Sequence, residues 1–280
     1  MTELPDNFDP EQCARFLREV GGSSAAVLPI AEAALALASF ERPRVGLGRY
    51  VQHLAALGRD VARHPGASGG LDARVRALNE IVLLKYGYTG DELTYDDLQN
   101  ANLMRVIDRR KGLPVALGIL YLHAARAQGW ECVGLGFPGH FLVRLSDGPE
   151  RLILDPFHGG RVLDRDGCRA VFAALQGADA PFALSYLAPT GPRAILLRVL
   201  NNLQHAYLSR RAPDAVWVAR LRLRFADLPL AERRQTAVLL GSLGRFAEAA
   251  AALDEVAAAL DGTNAETIAA EARALRAREN

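Results

Sequence analysis

The 280-residue sequence predicts an α+β protein, and three observations carry that expectation. Apolar residues recur at helical spacing through the first ninety positions. The period shortens to that of strands between residues 131 and 157. It returns to helical spacing after Pro192.

Taken in order, AAVLPIAEAALALASF (residues 25–40) is rich in Ala and Leu, which favour helix. YVQHLAALGRDVAR places Val51, Leu54, Leu57 and Val61 near a 3.6 period, and LDARVRALNEIVLLKY does so with Val75, Leu78, Val82 and Leu83. Between them HPGASGG (His64–Gly70) reads as a loop by its Gly, Pro and Ser. The polar cluster Asp96, Asp97 and Asn100 marks an irregular segment leading into a short helix, Leu103–Arg110. Pro114 then suits the first position of a helix running to Gln128, where its missing N–H is an orphan anyway.

ECVGLGF, HFLVRL and RLILDPF are short, apolar and separated by turn residues, so they predict strands, with PFALSYL a further candidate. Three or four antiparallel strands follow. PTGP (Pro189–Pro192) reads as a boundary. In AERRQTAVLLGSLGRFAEAAAALDEVAAAL a helix, a Gly-centred turn and a second helix carry small Ala237 and Ala249 beside bulky Leu240, Phe246 and Leu253. That pattern resembles tetratricopeptide repeats, with a degenerate unit before it in NNLQHAYLSRRAPDAVWVARLRLRF. The expected division is 1–90, 91–190 and 191–280.

Half the residues are apolar and 23% are charged, enough to bury a core. A net charge of +1 supplies no field for phosphate backbones or anionic membranes, so nucleic-acid and membrane partners are not expected. Cys13, Cys132 and Cys168 are isolated and odd in number, which argues against a disulfide framework. The acidic start MTELPDNFDPEQ shows no signal peptide, and no apolar run reaches 18 residues. The expectation is a cytoplasmic, reducing setting.

The chemistry centres on HFLVRLSDGPERLILD. If Ser146–Pro149 form a four-residue hairpin loop, opposed residues sum to 295, so His140 faces Asp155 while Phe141, Val143, Leu152 and Leu154 share the core face. A loop of three or five residues shifts the register by one and breaks the pair. An Asp beside a His fixes the imidazole tautomer and stabilises the imidazolium, as in catalytic triads. The alternative is a structural hydrogen bond in a half-buried pair.

RRKGLPVALGILYLHAARAQG, GLGFPGHFLVRL and LILDPFHGGRVL, with the Asp-x-x-Asn of Asp97 and Asn100 upstream, resemble the SirB-type proteins of the transglutaminase-like superfamily. The resemblance covers nearly the whole chain. It implies a bacterial protein with a papain-like core, a helix packed on an antiparallel sheet, and a Cys-His-Asp triad. Carried onto this sequence, His140 matches the His and Asp155 the Asp, while Pro114, in Gly112-Leu113-Pro114, stands where the Cys belongs. Proline has no attacking atom.

Substitutes for that atom are poor. Cys132 falls in the strand before His140 and reads as a buried small apolar residue. Tyr121 lies about 10 Å along the helix from Pro114 and reads as packing. His140, Asp155 and His158 are the residue types of a two-His, one-carboxylate metal site, but a solvent-facing or backbone-bonded His158 is expected, with no metal and no cofactor. Gly134, Gly136 and Gly139 lack the helix of a phosphate-binding loop and are read as aids to packing or a bend. Arg109–Lys111 reads as a solvated helix end, or less readily as a contact for an acidic partner.

The sequence therefore predicts a pseudo-enzyme that binds a protein or peptide partner through its cleft or C-terminal helices. The rival is a hydrolase or acyltransferase that uses His140 and Asp155 on water or on an unidentified nucleophile.

Overall fold

Whether a helix meets water on one side or on none follows from its residues, and both kinds occur at the N-terminal end of the computed structural model, which describes residues 4, 5, 7–22, 28–209, 215–225 and 228–279. α1 (Pro10–Gly22) is amphipathic. α2 (Ile30–Ser39) is almost wholly buried, because its run of Ala and Leu leaves no polar face beyond Glu32. α3 (Gly48–Arg63) buries Tyr50, Leu54, Leu57 and Val61 along one stripe. His64 caps the short turn Pro65–Ser68 with its Nδ1, so part of the expected loop is a helical turn.

α4 (Leu71–Asn79) does not continue as one regular helix to Tyr86. Residues Glu80–Lys85 widen into a π-helical segment, closed by Tyr86 N to Ile81 O at 3.0 Å. The extra residue per turn keeps Ile81 and Val82 buried while Leu84 turns outward, a shift that regular periodicity does not foresee.

A short parallel ribbon, which the sequence did not suggest, positions the next elements. β1 (Thr89–Gly90) pairs with β2 (Lys111–Gly112), which follows α5 (Leu103–Arg109) and leads directly into α6 (Pro114–Arg126). α6 buries residues around its whole circumference, consistent with a central helix.

The sheet has five antiparallel strands: β3 (Glu131–Leu135), β4 (Val143–Asp147), β5 (Glu150–Asp155), β6 (Arg161–Leu163) and β7 (Pro189–Thr190), in the spatial order β6-β5-β4-β3-β7. The edge strands β6 and β7 have three and two residues, too short for an alternating pattern to reveal. PFALSYL is not a strand. Its Leu184–Leu187 form a helical turn, and Phe182 and Tyr186 pack on Phe172, with the Tyr186 and Phe172 rings stacked at 5.1 Å.

The hairpin register differs from the expected one. Asp147 opposes Glu150, Leu145 opposes Leu152 and Val143 opposes Leu154, so paired numbers sum to 297. The loop is the two-residue Gly148–Pro149, with Gly148 at φ +57, and not Ser146–Pro149. A shift of two residues preserves the faces, because side chains alternate with period 2. Val143, Leu145 and Leu154 accordingly stay buried together.

One sheet face packs on α4 and α6. The other packs on α7 (Arg165–Gln176) through Leu135, Phe137, Leu142, Leu163, Cys168 and Phe172. Phe141 is wedged tightly: a Cβ on Gly118 of α6 would lie 2.3 Å from its ring, and one on Gly134 of β3 would lie 2.6 Å from it.

The chain divides into two units between Val199 and Leu200, within α8 (Pro192–Ser209). The second unit holds α9 (Ala215–Leu223), α10 (Leu230–Ser242), α11 (Phe246–Ala258) and α12 (Gly262–Ala277). Gly244 at φ +75 turns α10 into α11, and Ala237, Ala250, Leu253, Val256, Ile268 and Ala272 form a shared core. Residues 210–214 of the degenerate unit lie outside the described residues. Among the described residues no helix is long and apolar enough to cross a membrane.

Adding one methyl group at either wall of the Phe141 slot should overpack the core. Gly118→Ala and Gly134→Ala should each lower unfolding free energy by about 1–3 kcal/mol, read from the shift of a denaturant midpoint.

Candidate active site

The start of α6 is held by the segment before it. Asn100, fully buried, accepts the Leu113 amide on its backbone carbonyl at 2.9 Å. Its side chain donates to Thr94 O at 2.6 Å and accepts from Arg109 Nη1 at 2.9 Å. Arg109 also reaches Asp91 Oδ2 at 3.1 Å, and Asp91 binds Thr94 through both its backbone N–H and its hydroxyl. Burial works to raise the Asp91 pKa, but these donors outweigh it and hold the carboxyl at about 2. Asp97 has a smaller local part, accepting from Gln99 N at 2.9 Å. The Asp-x-x-Asn segment therefore fixes the chain that enters Gly112-Leu113-Pro114. Pro114 is buried and is the first residue of α6.

Arg109–Lys111 is not simply a solvated helix end. Arg109 belongs to the network above. Arg110, the one non-glycine with positive φ (+64) among the described residues, lies over the Tyr88 ring at 4.8 Å and donates to His53 Nε2 at 3.0 Å. Burial and then the Arg110 charge push His53 down to about 4. Lys111 alone of the three is exposed.

His140 and Asp155 do meet, although not as cross-strand partners. Gly139 (φ +73) bends the chain so that His140 precedes β4 by three residues, while Asp155 is the last residue of β5. His140 Nε2 lies 2.8 Å from Asp155 Oδ1, with the carboxylate fully buried and the imidazole nearly so. The ring makes no other hydrogen bond among the described residues, so Nδ1 is left for a third group.

His158 departs from expectation. It faces neither solvent alone nor a backbone group: its Nδ1 lies 2.7 Å from Asp155 Oδ2, and its side chain is 37% exposed. The capping role of Asp155 brings it there, since the same carboxylate accepts the His158 amide at 3.4 Å over the turn Pro156–His158. Gly159 and Gly160, both with positive φ, then return the chain so that Arg161 Nη2 comes within 3.4 Å of Oδ2. Burial favours a higher Asp155 pKa, but hydrogen bonding and charge from His140 and then His158 dominate and hold it at about 2.

Tyr121, buried in α6, donates to Asn79 Oδ1 at 3.0 Å, and Asn79 donates to Gly160 O at 2.9 Å. It braces the glycine turn, and burial raises its pKa. Cys132 is buried opposite Leu145, and burial pushes its thiol up to about 12, the reverse of what a nucleophile needs. Burial likewise raises Cys13, and Cys168 to about 11.

Sequence reasoning missed Glu92, Phe157, Arg161 and Asn79. Glu92 Oε1 lies 3.7 Å from His158 Nε2, and Phe157 packs edge-on against His140 with ring centres 5.8 Å apart. The PFHGG turn was the available signal, because two adjacent glycines after an aspartate mark a reversal that brings later residues back to it.

The model of the transglutaminase-like superfamily matches residues 48–201, just over half of the chain, and the chain belongs to that superfamily. It is 33% identical over 190 residues to a UPF0162 protein of Xylella fastidiosa (strain Temecula1), covering 64% of this chain and 65% of that one, slightly less than two thirds of the relative's length. A UPF0162 protein of Pseudomonas aeruginosa is 31% identical over 189 residues, 66% of this chain and 67% of that one. Mouse (Mus musculus) F-box only protein 21 is 33% identical over 81 residues, 29% of this chain and 13% of that one.

His53 gives the fold a pH signature. Its depressed pKa keeps the folded state unprotonated while the unfolded chain takes up a proton near the ordinary histidine value of about 6.5. Stability should be flat above about pH 6.5 and fall as pH drops from there to about 4, by on the order of 2 kcal/mol once solvent screening of the half-buried ring is allowed for. His53→Gln should flatten that limb in denaturant titrations run across the window.

Proposed function

We propose that this chain is a SirB-type pseudo-enzyme of the transglutaminase-like superfamily, whose scaffold binds a protein or peptide partner and performs no thiol chemistry. The single observation that carries the reading is the intact His140–Asp155 pair, 2.8 Å apart, beside a helix that opens with Pro114. Acyl transfer through a covalent intermediate requires a nucleophile, and the three cysteines are buried with raised pKa values.

Exposed apolar side chains near the pair support the binding half of the proposal. Leu93 is 89% exposed and follows Glu92, and Tyr95, also exposed, packs on Phe157 with ring centres 5.8 Å apart. Side chains of this kind in a polar rim suit a peptide contact. The successive helices α10 to α12, with small residues at their contacts, support a tetratricopeptide-like reading of the tail as a second binding surface. The rival, a hydrolase using the pair on water, draws support from the unclaimed Nδ1 of His140.

Restoring the lost atom tests the scaffold. Pro114→Cys should acquire a thiol that iodoacetamide alkylates at neutral pH at least tenfold faster than any cysteine of the parent chain. His140→Ala added to that variant should return the rate to that of an ordinary thiol. An alkylation rate indifferent to His140 would falsify the inherited-triad reading. The parent chain should show no turnover of glutamine amides or peptides, and turnover abolished by His140→Ala would establish the rival instead.

A further inference from the structure

We propose that His140, Asp155 and His158 form a binding site for a divalent first-row metal ion, with Zn2+ the ion their donor set suits best. The proposal stands on donor geometry and does not rest on the pseudo-enzyme reading, with which it shares two residues.

A triad aspartate needs one histidine, and Asp155 holds two, one on each oxygen, at 2.8 and 2.7 Å. Taking one ligand atom from each residue, the three donors lie within 4.8 Å of one another. Two imidazoles and a carboxylate are the donors that zinc and related ions select. Around a zinc ion at about 2.0–2.1 Å, neighbouring ligands stand roughly 3.3 Å apart, so each Asp155 contact must lengthen by about half an ångström while the widest donor pair, within 4.8 Å, must close by up to about 1.5 Å.

The second nitrogens of the rings fit as well. When His158 Nδ1 binds the ion, its Nε2–H faces Glu92 Oε1, now 3.7 Å away, in the carboxylate–histidine–metal arrangement that orients such ligands. His140 must move its proton from Nε2 to Nδ1, and Nδ1 has no hydrogen bond among the described residues to lose. Phe157 packs edge-on to both imidazoles, at 5.8 and 5.1 Å between ring centres, and shields one side. The exposed part of His158 leaves the entry path. Arg161 Nη2, 3.4 Å from Asp155 Oδ2, would repel a cation held there, but its side chain is half exposed and can turn to solvent. Three protein ligands leave one position for water.

The test is calorimetric titration of Zn2+ into the full chain after dialysis against a chelator. One equivalent should bind, and Zn2+ should raise the thermal midpoint. His158→Ala, at the most accessible ligand, should weaken binding by at least tenfold, and Glu92→Gln by about 10-fold. His64→Ala, which removes the His64–Glu80 pair elsewhere on the surface, should change neither readout. Midpoints measured without metal establish that each variant folds. Absence of saturable binding, or binding that His158→Ala leaves intact, overturns the proposal. Alkylation of Pro114→Cys with chelator present is blind to metal, so the two readings fail separately.

Discussion

A carboxylate removed from water must find charge or donors nearby, and the architecture of this site follows from that requirement at Asp155. The side chain has no exposed surface. His140 and His158 each take one oxygen, the His158 amide adds a third contact, and Arg161 approaches from the returning chain. Each donor needs its own turn. Gly139 bends the chain at His140, and Gly159 with Gly160 reverses it after His158, all three at positive φ. A Cβ at Gly160 would fall 2.0 Å from Asn79 Oδ1, so the reversal is also locked to α4 and, through Tyr121, to α6.

The same coupling ties the pair to the core of the fold. Phe141 follows His140 and fills the slot between Gly118 and Gly134, so the bend that delivers the imidazole is part of the core. Removing either member of the His140–Asp155 pair would strand a buried polar group, a destabilisation that exists whether or not a reaction is catalysed. The attacking atom has no such anchor. At the first position of α6, Pro114 takes away an amide that the helix cannot satisfy internally and fixes φ at a helical value. On the proposed pseudo-enzyme reading, folding favours proline at this position and resists the loss of the pair.

Much of this was legible in the sequence, and the failures have physical causes. The helix opened by Pro114 and the strands either side of the hairpin follow from periodicity and turn chemistry. The hairpin register was misjudged by two residues because Gly148–Pro149 makes a tight turn by itself. The pairing survived because the contact forms at the strand ends, where loops and not register bring residues together. β1, β2 and β7 are held by contacts distant in sequence, and these strands and β6 have only two or three residues each, so no local period announces them. The π-helical segment after α4 is a tertiary adjustment, set by which side chains fit the core. His158 was named in the sequence but its direction was misread, since that direction depends on a cap made by the very aspartate it then binds.

That second histidine separates two accounts of the site. If the pair were kept only as core filling, one donor on each carboxylate oxygen would be needed, and Arg161, 3.4 Å from Oδ2, could supply the second. An imidazole there adds a titratable group, a large part of it in water, where a hydrogen bond contributes little to stability. Glu92 then stands off its far nitrogen at 3.7 Å, too long to be a hydrogen bond, in a position that makes sense for a ring whose near nitrogen holds a cation. Structural retention explains His140 and Asp155 well, whereas His158 and Glu92 are better accounted for by a ligand.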